Sequence, residues 1–91
     1  MDKFQDLPED KDTVILFQKR GIVSDFQVLF QHWSYDGILG ISAIFLKEDV
    51  GGYSDDELKD FIDKGFSRDE ITISRHSEKY IFVNYGFKVN D

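Results

Sequence analysis

Residues Tyr53 to Phe66 write out a helix with both ends specified, and no other stretch of the chain restricts the fold as tightly. Ser54 and Glu57 have the spacing of a capping box, in which each side chain satisfies a backbone N–H that a helix start leaves unpaired. Tyr53 and Leu58 occupy the two positions of a hydrophobic staple. Gly65 falls where a left-handed residue ends a helix, and Phe66 is placed to touch Phe61 in a Schellman closure. Leu58, Phe61 and Ile62 form an apolar stripe, while Asp55, Asp56, Lys59, Asp60 and Asp63 lie on the water-facing side. Asp55 with Lys59 and Asp60 with Lys64 stand at i, i+4 in the favourable orientation. A helix of about ten residues does not hold in water alone, so its stripe must pack on something.

What it packs on has the other periodicity. Val14 to Phe17 is an unbroken apolar run within a short strand, Thr13 to Gln18, and reads as buried on both faces or central. Lys19-Arg20-Gly21 suits a three-residue hairpin loop ending in Gly. Ile22 to Trp33 alternates, with Phe26, Val28 and Phe30 on one face and Gln27, Leu29 and Gln31 on the other. Ser34-Tyr35-Asp36-Gly37 carries the Asp-Gly turn signal, and Ile38 to Leu46 is a third strand. Within it, Gly40 marks a bulge or a place where another side chain lies over the backbone.

Lys47 to Gly52 reads as a loop leading to the helix, and Ser67 with Glu70 repeats the capping-box spacing after it. Ile71 to Ser74 and Lys79 to Val89 are two further strands joined by Arg75-His76-Ser77-Glu78. Ile81, Val83, Tyr85 and Phe87 share one face of the last strand, with Tyr80, Phe82 and Asn84 opposite. That strand therefore belongs inside the sheet or under the helix rather than at an edge. The order is β-β-β-α-β-β, an α+β fold with one helix on a mostly antiparallel sheet.

Ninety-one residues provide one core, so residues 12–91 are expected to form a single α+β domain. Residues 1–11, with Asp2, Asp6, Glu9 and Asp10 around Pro8, read as a flexible acidic tail in which Phe4 and Leu7 could dock. The polar start argues against a secretory leader at this end, and no apolar run approaches the roughly 20 residues of a membrane span. With no cysteine, the expectation is a cytoplasmic protein without a disulfide framework or thiolate metal site. A net charge of −7 disfavours duplex nucleic acid and favours a partner with a basic surface.

Catalytic signals are absent from the pattern. Glu48 to Asp55 lacks the alternating oxygen spacing of a calcium loop, His32 lies on the Phe26–Val28–Phe30 face, and His76 sits in a turn. Neither histidine stands in a nucleophile motif, so no enzyme, metal or cofactor is expected. Two surfaces stand out instead. Asp56, Asp60 and Asp63 place carboxylates on the helix beyond what its first turn needs, since Asp is a poor helix former and Asp63 nears the negative end. Fourteen aromatic rings (nine Phe, four Tyr, one Trp) exceed what one helix on a small sheet readily hides. Trp33 and Tyr35 are therefore candidate anchors on an open sheet face.

The expected function is a non-enzymatic, inhibitor- or adaptor-like protein-interaction module using Asp56, Asp60, Asp63, Trp33 and Tyr35. A second copy of the chain is one candidate partner, through the open sheet face or an edge strand. The competing expectation is a single-stranded nucleic-acid binder, with Lys19, Arg20, Arg75 and Lys79 in hairpin turns at one end of the sheet and aromatics for stacking.

Overall fold

The computed structural model describes Lys3, Phe4, Leu7, residues 11–62 and residues 70–88. Three hairpin-linked strands come first: β1 (Val14–Val23), β2 (Phe26–Tyr35) and β3 (Ile38–Leu46). The one-turn helix α1 (Lys47–Val50) and the longer α2 (Asp55–Ile62) follow, then β4 (Ile71–Ser74) and β5 (Tyr80–Lys88). All five strands form one sheet in the order β1-β2-β3-β5-β4. Every pairing is antiparallel, so the α+β reading holds in a stricter form. β5, last in sequence, lies between β3 and β4, which run the same way on either side of it.

Two tight turns set the meander. Asp36 (φ 47°) and Gly37 (φ 75°) are both left-handed, as a type I′ turn requires, and Asp-Gly announces it in the sequence. Ser24 (φ 50°) and Asp25 (φ 70°) do the same between β1 and β2 without any glycine. That silent turn overturns the hairpin loop expected at Lys19-Arg20-Gly21, since all three residues lie within β1, with Gly21 opposite Val28. The first strand lengthens to ten residues and the second begins at Phe26.

The expected central burial of Val14–Phe17 is also corrected. β1 is the outermost strand, and Val14, Ile15, Leu16 and Phe17 are 59%, 39%, 53% and 55% exposed. A bulge between Ile15 and Phe17 shifts its register against β2.

α2 begins as its sequence specifies. The Ser54 N–H donates to Glu57 Oε1 (3.1 Å) and the Glu57 N–H donates to Ser54 Oγ (3.2 Å). Tyr53 packs edge-on against Phe61 (5.2 Å) and Phe26 (5.8 Å). Asp63, Lys64, Gly65, Phe66 and Ser67 lie outside the described residues. α1 replaces an expected loop because the Lys47 N–H donates to Lys79 O (2.8 Å) and Val50 is carried into the core.

The main core fills the space between α2 and the sheet, with Leu58 and Val50 against Val28, Ala43, Phe45, Ile81 and Val83. Burying Leu58 completely contributes about 2 kcal/mol of transfer free energy. A second cluster lies on the opposite face, where Phe4 is buried against Leu29, Ile44, Leu46 and Tyr80. The Tyr80 hydroxyl donates to Lys3 O (2.9 Å), and Lys3 Nζ pairs with Glu48 (3.0 Å). That hydrogen bond to Glu48 raises the Lys3 pKa above its ordinary value.

Farther along this second face, Trp33 lies flat across β3 and reaches toward β5. A Cβ on Gly40 would overlap its ring, and one on Gly86 would come within 3.2 Å. Of the two expectations for Gly40, the covering side chain is the one observed, since the ladder runs through it without a bulge.

Candidate protein-interaction surface

The acidic helix and the aromatic anchors are on opposite sides of the sheet. Asp56 and Asp60 are exposed on α2, and neither is without an interaction inside the chain. Asp63 is outside the described residues. Asp55 turns from Lys59 to Arg75, whose Nη2 lies 2.8 Å from its Oδ1. The same guanidinium donates to Tyr53 O (2.8 Å) and so ties the helix entrance to the strand connection.

Trp33 and Tyr35 occupy the face away from α2, because they alternate with the core residues Phe26, Val28 and Phe30. Trp33 is half-buried and polar-satisfied: its Nε1–H donates to Ser42 Oγ (2.8 Å), and Ser42 Oγ donates to Asn84 Oδ1 (2.6 Å). Tyr35 is exposed at the strand end. One partner surface cannot touch Asp56 and Trp33 together without wrapping around the sheet.

The basic residues divide as well. Lys19 and Arg20 are strand residues on one edge, with Arg20 lying over the Phe4 ring (5.8 Å). Arg75 and Lys79 belong to the β4–β5 connection at the opposite edge. Four strand spacings separate β1 from β4, roughly 19 Å. That connection is pinned from below: Lys47 Nζ donates to Arg75 O (3.2 Å) and Ser77 O (2.9 Å). Phe17 stacks on His32 (3.9 Å), and His76 is exposed. Among the described residues no three His, Asp or Glu side chains converge as a metal-ligand set.

What the structure does bring together is an apolar edge. Val14, Ile15, Leu16 and Phe17 are joined on β1 by Ile22, 75% exposed, which makes five large apolar side chains open to water on one outer strand. Beside the far end of β1 lies a groove of about 450 Å³ between sheet and helix, whose lining includes Val23, Phe30, Phe61, Ile62 and Tyr85, with Asp60 on its helix side. Asp60 is thus the acidic-helix candidate placed next to this edge, on whose own strand Lys19 and Arg20 lie. Within the groove Tyr85 hydrogen-bonds Glu70, which raises the phenol pKa above its ordinary value.

Strand edges present unpaired backbone groups, and lysine placed in a strand is a common device for limiting what pairs there. Lys19-Arg20 inside an apolar strand was the sequence signal for this edge, obscured by its resemblance to a turn.

The chain is thus an α+β protein with an all-antiparallel five-stranded sheet and one apolar outer strand. No family model matches it, and neither does any curated protein or solved structure. Among the described residues no helix is long and apolar enough to cross a membrane.

Proposed function

We propose that this protein is a non-enzymatic protein-interaction module whose contact surface is the outer edge of β1. The observation that carries the reading is the exposure of Val14, Ile15, Leu16, Phe17 and Ile22 on a strand with a free edge. Water-exposed apolar groups in this number mark contact surfaces, and an edge strand adds backbone hydrogen bonds to whatever extended segment lies beside it. Affinity then comes from the ladder and the apolar quartet, while Lys19 and Arg20 restrict the choice of segment.

The acidic side of α2 has a lesser part, adding long-range steering toward a basic surface at Asp56 and Asp60. The homodimer expected from the aromatic excess falls to this same edge rather than to the face around Trp33. A cysteine-free sequence suits a cytoplasmic setting.

The test is capture of binding proteins by the intact chain, by Leu16→Lys, and by a variant with Asp56, Asp60 and Asp63 reversed to Lys. Leu16→Lys is expected to lose its partners at all salt concentrations. The charge-reversed form is expected to keep them and to alter only the salt dependence. Full retention of partners by Leu16→Lys removes the edge from the function.

A further inference from the structure

We infer that the segment covering the β1 edge is β1 of a second copy of this chain, paired antiparallel about a two-fold axis between Ile15 and Leu16. The inference rests on the interaction reading above and names its occupant. A geometric observation on β1 carries it, and the order of charges along the same strand fits one register.

The geometric one is the bulge. Val14 lies opposite Ser34 and Phe17 opposite His32, two residues of β2 that share the helix-side face. In a regular strand, positions three apart would point to opposite faces; the bulge is what puts Val14 and Phe17 on the same one. An antiparallel copy centred between Ile15 and Leu16 therefore sets Val14 against the second copy's Phe17 with their faces matched. Ile15 then meets the second copy's Leu16, and the whole apolar quartet is covered by its own duplicate. A register centred on Gln18 would instead oppose Val14 to Ile22, which lies opposite Gln27 on the other face. Isologous contact of this kind needs one self-complementary strand and nothing else.

The electrostatic observation concerns charge. The chain carries −7, yet residues 11–23 hold Lys11, Lys19 and Arg20 against Asp12 alone, a local +2 that leaves −9 for the rest. Because the contact is isologous, each copy brings the same local +2, a milder repulsion than the acidic remainder of the chain would give. In the same register Asp12 comes opposite the second copy's Lys19, closing each end of the apolar block with opposite charges. Arg20 meets Lys11 beyond that, at a wet rim where salt screens the pair. The result is a ten-stranded sheet with both α2 helices on one face.

The experiment is sedimentation equilibrium of the full chain across a concentration series, with Leu16→Lys and Lys19→Asp as variants. The parent is expected to form a concentration-dependent dimer, and Leu16→Lys to weaken it roughly a hundredfold, because two lysines enter one apolar block. Lys19→Asp should weaken it about tenfold, with Asp12→Lys added in the same chain restoring the association. The chain has no native cysteine, so Val14→Cys mixed with Phe17→Cys should cross-link under mild oxidation. Far-ultraviolet circular dichroism of each variant verifies that the fold is intact.

The monomer mass alone at the highest concentration overturns the inference, as does a dimer indifferent to Leu16→Lys. If that monomer still loses foreign partners on Leu16→Lys, the interaction function stands and only the homotypic occupant falls.

Discussion

Strands β1 and β5 are made of nearly the same material. Each carries six apolar residues, in ten positions for β1 and nine for β5. In β5, Tyr80, Ile81 and Val83 are fully buried; in β1, no apolar side chain is. β5 has strands on both flanks, a helix over one face and Phe4 under the other, whereas β1 has one neighbour and neither cover over Val14–Phe17. An apolar strand therefore states that its surface will be withdrawn from water, and its place in the sheet decides whether the chain itself does the withdrawing.

The largest effect that could break this contrast lies in the covered half. Leu58→Ala should cost about 3 kcal/mol in urea unfolding, since the helix would leave a cavity over β3 and β5. A loss under about 1 kcal/mol would mean that α2 does not hold that side shut. Next comes Gly40→Ala, expected to cost about 2 kcal/mol by lifting Trp33 from β3. The emission of this single tryptophan should shift to the red, and an unshifted spectrum would contradict the flat packing. Ser54→Ala removes half of the capping box and should cost about 1 kcal/mol, with Glu57→Ala no worse.

The exposed side should behave differently. At concentrations where the chain is monomeric, Leu16→Ser is expected to change stability by less than about 0.5 kcal/mol. A cost comparable to that of Leu58→Ala would place β1 inside the core after all. The smallest effect concerns Tyr85, whose hydrogen bond to Glu70 raises its pKa above the usual 10.0. A raised folded-state value favours the neutral phenol, so its contribution is complete below the unfolded pKa and lost as pH rises through the folded one. In alkaline absorbance titration, the tyrosine component that disappears in Tyr85→Phe should move to lower pH in Glu70→Gln.

The parts legible in the sequence were those with local causes. Ser54 and Glu57 cap each other within one turn, Asp36-Gly37 supplies its own left-handed backbone, and Leu58, Phe61 and Ile62 announce a stripe. β5 could be placed inside the sheet because both of its faces are apolar. The hidden parts had distant causes. α1 depends on Lys47 meeting Lys79, and the β1–β2 turn uses Ser24 and Asp25 in a conformation their identities barely advertise.

The apolar run at Val14–Phe17 was visible, but its exposure was not, because sheet order is fixed by pairings far along the chain. The placing of Trp33 and Tyr35 on the face away from the acidic helix was legible, by contrast, because strand alternation is local.

The insertion of β5 between β3 and β4 also governs the order in which the molecule can assemble. β1, β2 and β3 are joined by two-residue turns and can zip together from local encounters. The first β3–β5 pair, Leu46 with Tyr80, spans 33 intervening residues, and β4 joins the sheet only through β5. Closing so wide a loop before its contacts are gained is the slow event expected of such a topology. Refolding should therefore be limited by docking of the final strand, with the outer hairpin already formed and its apolar edge already available to a neighbour.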